Sequence, residues 1–134
     1  MNIELLQKTQ EWIKAHPKNF SMRSWVNGKD LEGNQIYPYG PAEMPVRPET
    51  TLCINAIAAA IWNTTERKEN ESLAIYASGM DLLGIESSLE WQKLVLLSCW
   101  PYDLGMRYTG NAEERAAAAV ERIQRLIDSQ VVPA

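Results

Sequence analysis

The sequence predicts an all-α fold of about five helices packed around a central apolar helix at residues 51–63. Between Leu52 and Trp62 the only polar side chain is that of Asn55, and a helix that is apolar nearly all round must be buried. Other segments carry apolar residues at three- and four-residue spacing, which is typical of amphipathic helices. Capping residues and prolines at the ends of these segments support the same fold class.

The first helix is predicted over residues 3–16. Asn2 is a favourable N-cap because its side-chain oxygen can accept from a free backbone N–H of the first turn. Pro17 ends the helix, since the residue before a proline is pushed out of the α region. The side chains that share the apolar face are those of Leu5, Leu6, Thr9, Trp12, Ile13 and His16.

Three later helices are predicted over residues 71–83, 87–100 and 111–127. Each begins or ends at a residue with a capping function or at a proline. Residues 102–110 contain two glycines, so this segment is predicted to be a loop. The residues that mark the helix ends are Gly84, Ser87, Glu90, Pro101 and Asn111.

Residues 27–49 are predicted to be an irregular Pro-rich loop within a single helical domain of residues 1–134. Turn signals on either side of residue 30 are compatible with one short β-hairpin within residues 25–37. The loop is either an ordered extended segment or a mobile linker. Long loops in compact domains are often functional. The residues of this loop that we expect to bind a partner are Tyr37, Tyr39 and Met44.

The composition excludes several classes of protein. A net charge of −4 and a pI near 5.0 argue against broad electrostatic attraction to nucleic acid. No apolar run reaches the about 20 residues that a membrane-spanning helix needs. The first residues lack a secretory-signal pattern, and two cysteines do not make a disulfide framework. We therefore expect a cytoplasmic protein that binds neither membrane nor cofactor. Self-association stays open.

Cys53 is the residue best placed for chemistry, because it stands near the predicted start of the apolar helix. The first turn of a helix can lower a thiol pKa. A cysteine nucleophile also needs a base, and His16 is the only histidine in the chain. The alternative is that Cys53 is a small buried apolar residue, as free cysteines usually are. A metal site is not expected, since no Cys-x-x-Cys or His-x-x-x-His pair occurs.

Two further sets of polar residues need an interpretation. Asn55 on the apolar helix must be hydrogen-bonded if buried, so we expect it to fix a loop or to line a small binding pocket. Four arginines lie in the last third of the chain, where they form either a surface for phosphate or an acidic partner, or a solvated face with interleaved acids. These arginines are Arg107, Arg115, Arg122 and Arg125.

Part of the chain, about residues 5–127, resembles small uncharacterised helical proteins of bacteria and phages. The resemblance implies a helical accessory domain without an established activity. A glycine usually follows the cysteine in those proteins, whereas Ile54 stands here. The segments that carry the resemblance are His16-Pro17, Trp25, Cys53 to Trp62, Leu82 to Ile85, and Trp100-Pro101.

The sequence therefore favours a non-enzymatic binding or accessory module that acts through protein–protein contacts. Its expected binding residues are those of the Pro-rich loop together with Asn55. A first alternative is a cysteine-dependent enzyme that uses Cys53 with His16. A second alternative is a phage- or host-directed inhibitor that binds a nucleic-acid enzyme through acidic faces.

Overall fold

The computed structural model describes residues 2–23, 26–29, 31–36, 44, 46–65, 83–85 and 88–129. Over these residues the fold is all-α with one small antiparallel sheet, as predicted. In chain order the elements are α1 (Ile3–Ala15), a 3-10 helix (Pro17–Asn19), β1 (Val26–Asn27), β2 (Thr51–Leu52), α2 (Ile54–Thr65), α3 (Ser88–Val95), a second 3-10 helix (Leu97–Cys99), α4 (Tyr102–Tyr108) and α5 (Ala112–Ser129).

Helix α1 forms where the sequence predicts it. The side-chain oxygen of Asn2 accepts a hydrogen bond from the backbone N–H of Leu5 at 3.0 Å, which confirms the predicted N-cap. The helix ends at Ala15, two residues before Pro17, because a proline disfavours the α conformation of the residue before it. The buried side chains of this helix are Leu5, Leu6, Thr9, Gln10 and Ile13.

Helix α2 is the central helix, and it begins later than the sequence predicts. Thr51 and Leu52 form β2 instead of a first helical turn, and the helix starts at Ile54. Every side chain from residue 54 to residue 61 is buried. The prediction of an apolar helix enclosed by the rest of the fold is therefore confirmed for residues 54–61.

The two-residue strands pair in an antiparallel register, with Val26 opposite Leu52 and Asn27 opposite Thr51. The predicted hairpin within residues 25–37 is present as a single antiparallel bridge between Lys29 and Gln35. Strand β1 pairs with residues 51–52, and this pairing places Val26 beside the fully buried Leu52 in the core.

The segment 102–110, which the glycines predicted to be a loop, contains helix α4. Leu104 and Tyr108 are buried four residues apart, so they lie on one face of this helix, and α4 packs against α5. Packing of these two side chains outweighs the weak helix propensity of Gly105.

The other predicted helices are partly outside the described residues. Residues 71–82 lie outside them, as does Ser87 of the predicted capping box. Gly84 has the left-handed φ of 65° that its predicted capping position requires. Helix α3 ends at Val95, earlier than predicted. At the start of α5, the Asn111 side chain accepts from the backbone N–H of Glu114 at 2.8 Å, which confirms that cap.

Helix α1 packs against both α2 and α5. The contact with α5 includes two hydrogen bonds from the buried Gln10 amide, to the carbonyl oxygen of Val120 at 3.0 Å and to Oε1 of Gln124 at 3.2 Å. Arg122 joins α5 to α3 by donating to the carbonyl oxygen of Lys93 at 3.2 Å. Within the described residues, no helix combines the length and the apolar character that crossing a membrane requires.

Replacing Gly28 by alanine should strongly destabilise the fold. Gly28 has a φ of 145°, and a Cβ built there would lie 2.7 Å from the Cα of Thr50. Thr50 cannot give way, because it is fully buried and its hydroxyl accepts from the Lys29 N–H and donates to the Lys29 carbonyl. We expect a loss of about 2 kcal/mol or more in the free energy of unfolding, measured by urea titration. An unchanged unfolding midpoint would contradict this account.

Replacing Gly105 by alanine should have the opposite effect. Gly105 lies inside α4, and a Cβ built there has no atom within 4 Å. Alanine reduces the conformational entropy of the unfolded chain and adds no clash, so stability should rise by about 0.5–1 kcal/mol. The same urea titration measures it, and a destabilised variant would show that α4 is not helical at this position.

Candidate functional site

Cys53 is a capping residue of α2 in the core. Its side chain is 4% exposed, and its sulfur accepts from the backbone N–H of Ala56 at 3.5 Å. Burial raises the pKa of the thiol from 9.0 to about 11, although nearby backbone N–H groups act in the opposite direction. The helix start therefore does not stabilise a thiolate here, and at neutral pH the thiol is protonated. This disfavours Cys53 as a nucleophile.

His16 lies in different surroundings. It is exposed at the C-terminal end of α1, and its ring stacks on the indole of Trp12 with 4.5 Å between the ring centres. Its Nδ1 lies 3.0 Å from the carbonyl oxygen of Trp12. Because a carbonyl oxygen only accepts, Nδ1 carries the proton, and in the neutral ring Nε2 is an acceptor. The cavity that His16 lines does not include Cys53.

This cavity has a volume of about 310 Å³. It lies between the end of α1, the first 3-10 helix, residues 44 and 46, and the end of α2. Most of its lining is apolar. We call it the Trp12 groove, and its residues are Trp12, His16, Asn19, Met44, Val46 and Thr64.

The polar groups of the Trp12 groove are largely satisfied by the protein itself. The Thr64 hydroxyl accepts from the backbone N–H of Met44 at 2.8 Å and donates to the carbonyl oxygen of Ala60 at 2.7 Å. The Asn19 amide donates to the carbonyl oxygens of Pro48 and Thr50, each at 2.8 Å. These bonds position the walls of the groove, and the surface left for a ligand is mainly apolar with the Nε2 of His16 at its edge.

Trp12 also lines a second, wider cavity of about 530 Å³ on α1 and the end of α2. Ile61 adds apolar surface there, and the Thr65 hydroxyl donates to the carbonyl oxygen of Ile61 at 2.9 Å. The indole of Trp12 therefore contributes to the walls of both cavities. The rest of the wider cavity includes charged and amide side chains of α1, namely Glu4, Gln7, Lys8 and Glu11.

The structure brings together two of the residues that the sequence singled out. Met44 and His16 both line the Trp12 groove. Asn55 is fully buried within α2 and lines none of the cavities described here, so its part in binding stays a prediction. Tyr37 and Tyr39 lie outside the described residues.

Sequence reasoning did not identify Trp12 as a residue that lines two cavities, because its position on the apolar face of α1 suggested core packing. Its side chain is only partly buried. The signal that could have identified it is position: Trp12 stands at the edge of the apolar face, one turn before the helix ends. A large aromatic residue at such an edge can pack on the core and still present one side to a ligand.

The four arginines of the last third of the chain do not form one surface. Arg122 is 8% exposed and serves the core contact with α3. Arg125 forms a bidentate ion pair with Asp103, in which Nη2 lies 2.7 Å from Oδ2 and Nη1 lies 3.2 Å from Oδ1. A side-chain hydrogen bond in this pair lowers the pKa of Asp103 and raises that of Arg125. Arg107 and Arg115 line two separate cavities.

Within the described part of the chain, no group of three or more His, Cys, Asp or Glu side chains is arranged to hold a metal ion. Comparison with family models, with curated proteins and with solved structures finds no match to this chain. The function of this chain is therefore inferred from the geometry of its sites.

Alkylation should distinguish the two cysteines. Iodoacetamide at neutral pH should modify the exposed Cys99 and leave Cys53 unmodified, because the Cys53 thiol is buried and protonated. Both should react after denaturation in urea. Peptide mass spectrometry gives the modified fraction at each site, with Cys99 as the internal control. Preferential modification of Cys53 in the native protein would revive the cysteine-enzyme hypothesis.

Proposed function

We propose that this chain is a non-enzymatic helical binding module that recognises a segment of another protein through the Trp12 groove. The observation that carries the proposal is the groove itself: a cavity of about 310 Å³ with an aromatic residue, a methionine and a valine in its walls. Cavities of this size and lining suit an apolar side chain of a ligand.

The polar edge of the groove supports a peptide as the ligand. The Nε2 of neutral His16 is an acceptor, and a peptide supplies N–H donors beside each apolar side chain. The ligand that fits is a short segment with one large apolar anchor and a backbone or side-chain N–H close to it. Aromatic anchors in such interfaces carry a large share of the binding free energy.

The proposed binding surface also includes residues of the Pro-rich loop. Met44 belongs to the loop and is attached to α2 through Thr64, so the loop reaches the groove at this point. The proposal includes Tyr37 and Tyr39 as further contacts with the partner. The resemblance to small helical proteins of bacteria and phages would fit an accessory role, as would an inhibitor that uses the same groove.

A cytoplasmic location is part of the proposal. Both Cys53 and Cys99 are free thiols, and Cys99 is exposed where an oxidising compartment would modify it. Reducing compartments keep such thiols free.

A charge placed in the groove should weaken recognition. Peptides selected from a displayed library against the native chain should bind a Met44→Lys variant at least about tenfold more weakly, because truncation or charging of a contact residue removes a kilocalorie or more of binding free energy. Fluorescence polarisation with a labelled peptide measures the Kd.

Met106→Lys is the matched control, since Met106 is 55% exposed and lines none of the cavities described above. Its Kd should equal that of the native chain, and circular dichroism should show both variants folded. The proposal fails if no peptide is selected, or if the Met44 and Met106 variants bind selected peptides equally well.

A further inference from the structure

A further cleft, distinct from the two cavities that Trp12 lines, lies beyond the first 3-10 helix and has no part in the proposed peptide recognition. Its volume is about 630 Å³. It lies between that helix, residues 20–23, the small sheet, and the junction of α4 with α5. We call it the basic cleft, and its lining includes Lys18, Ser21, Arg23, Thr51, Tyr108 and Arg115.

The charged side chains that the structure describes in the lining of the basic cleft are all positive. Three cations line it, Lys18 and Arg23 from the continuous residues 17–23 and Arg115 from α5, and no described carboxylate lines it. None of the three takes part in an ion pair within the part of the chain that the structure describes. Arg115 also donates from Nη1 to the carbonyl oxygen of Gly110 at 3.2 Å, a contact that leaves its charge unneutralised. Three cations around one concave surface concentrate positive potential there.

The hydroxyl groups of the cleft add donors to these cations. Tyr108 is 6% exposed, and its hydroxyl accepts from the backbone N–H of Met22 at 2.7 Å. The Ser21 hydroxyl accepts from the backbone N–H of Arg23 at 3.2 Å. Each hydroxyl has one proton to donate, and among the described residues neither proton has an acceptor. Ser21 and Tyr108 thus each add a hydroxyl donor to the cations of the cleft, and an anion accepts from donors of both kinds.

Another cavity of this protein differs from the basic cleft because it is lined by both cations and carboxylates. Lys14 and Arg107 line a cavity of about 310 Å³, but Glu113 and Glu121 line it with them. Interleaved carboxylates cancel the potential that an anion would need. Among the described residues, the basic cleft therefore differs from this cavity in having cations without interleaved carboxylates.

We propose that the basic cleft binds the phosphate group of a small phosphorylated molecule. A phosphate offers several oxygens in different directions, and the guanidinium groups of Arg23 and Arg115 present planar sets of N–H donors that match them. Lys18 adds a point charge. A cleft of this volume lies within the range of sites that hold small-molecule ligands, so space remains for the group that the phosphate esterifies.

The overall charge of the chain favours a small ligand over a nucleic acid. A nucleic-acid surface follows the backbone with many cations, and its affinity depends on the number of phosphates neutralised. Here the net charge is −4, and the cations of the cleft are confined to one concavity. One phosphate or diphosphate group is sufficient to occupy them.

The test uses the full chain, with inorganic phosphate, pyrophosphate and adenosine 5′-monophosphate as probes in isothermal titration calorimetry at low salt. At least one probe should bind with a Kd below about 1 mM. The double variant Lys18→Gln/Arg23→Gln should weaken that binding at least about tenfold, because it removes two charge-assisted contacts. Both side chains are exposed, so the variant should fold normally.

The charge-matched control is Lys14→Gln/Arg107→Gln, which removes the same two charges from the other cavity and should leave the Kd unchanged. An absence of saturable binding with all three probes would overturn the proposal, as would equal losses in the two double variants. A single-stranded oligonucleotide that binds more tightly than every small probe, and loses affinity equally in both double variants, would also overturn it. None of these results bears on the Trp12 groove, which Met44→Lys tests separately.

Discussion

Helix α2 can exist in this protein only because other elements cover it on every side. From residue 54 to residue 61 all its side chains are buried, and four of those eight residues are alanines. Small side chains allow neighbouring helices to approach closely, and an enclosed helix has no face that tolerates water. α1 and α3 contact it directly, and β2 leads straight into it. The positions of α1, α3 and β2 therefore serve to enclose this helix.

The two proposed binding surfaces lie on either side of one short connection. The 3-10 helix Pro17–Asn19 follows α1 and supplies Asn19 to the Trp12 groove and Lys18 to the basic cleft. Adjacent side chains of so tight a helix point in different directions. Phe20, which comes next, is anchored in the core and packs edge-on against Tyr108 with 6.3 Å between ring centres. The connection is thereby held between the core and both surfaces.

Local signals predicted much of the fold and little of the sites. The Asn2 and Asn111 caps and the apolar run of α2 are short-range patterns, so the sequence was sufficient for them. Helix α4 depends on burial of Leu104 and Tyr108 against α5, which no local pattern contains. The sequence left Cys53 open as either a reactive thiol or a small buried residue, because its pKa depends on burial by distant segments as well as on its place at a helix start. The basic cleft gathers cations more than 90 residues apart in sequence, such as Arg23 and Arg115, so spacing alone cannot reveal it.

The hydrogen bonds of Gln10 to α5 have a consequence for synthesis on the ribosome. Gln10 and Val120 are 110 residues apart. At about 5–20 residues per second, roughly 5–20 s pass between their synthesis. During that interval α1 can cover α2, but the side of α1 that faces α5 stays open to water or to a chaperone. Long-range contacts of this kind also slow folding, because a large loop must close before they form. The native arrangement of the first helix is therefore completed only when the last helix has emerged.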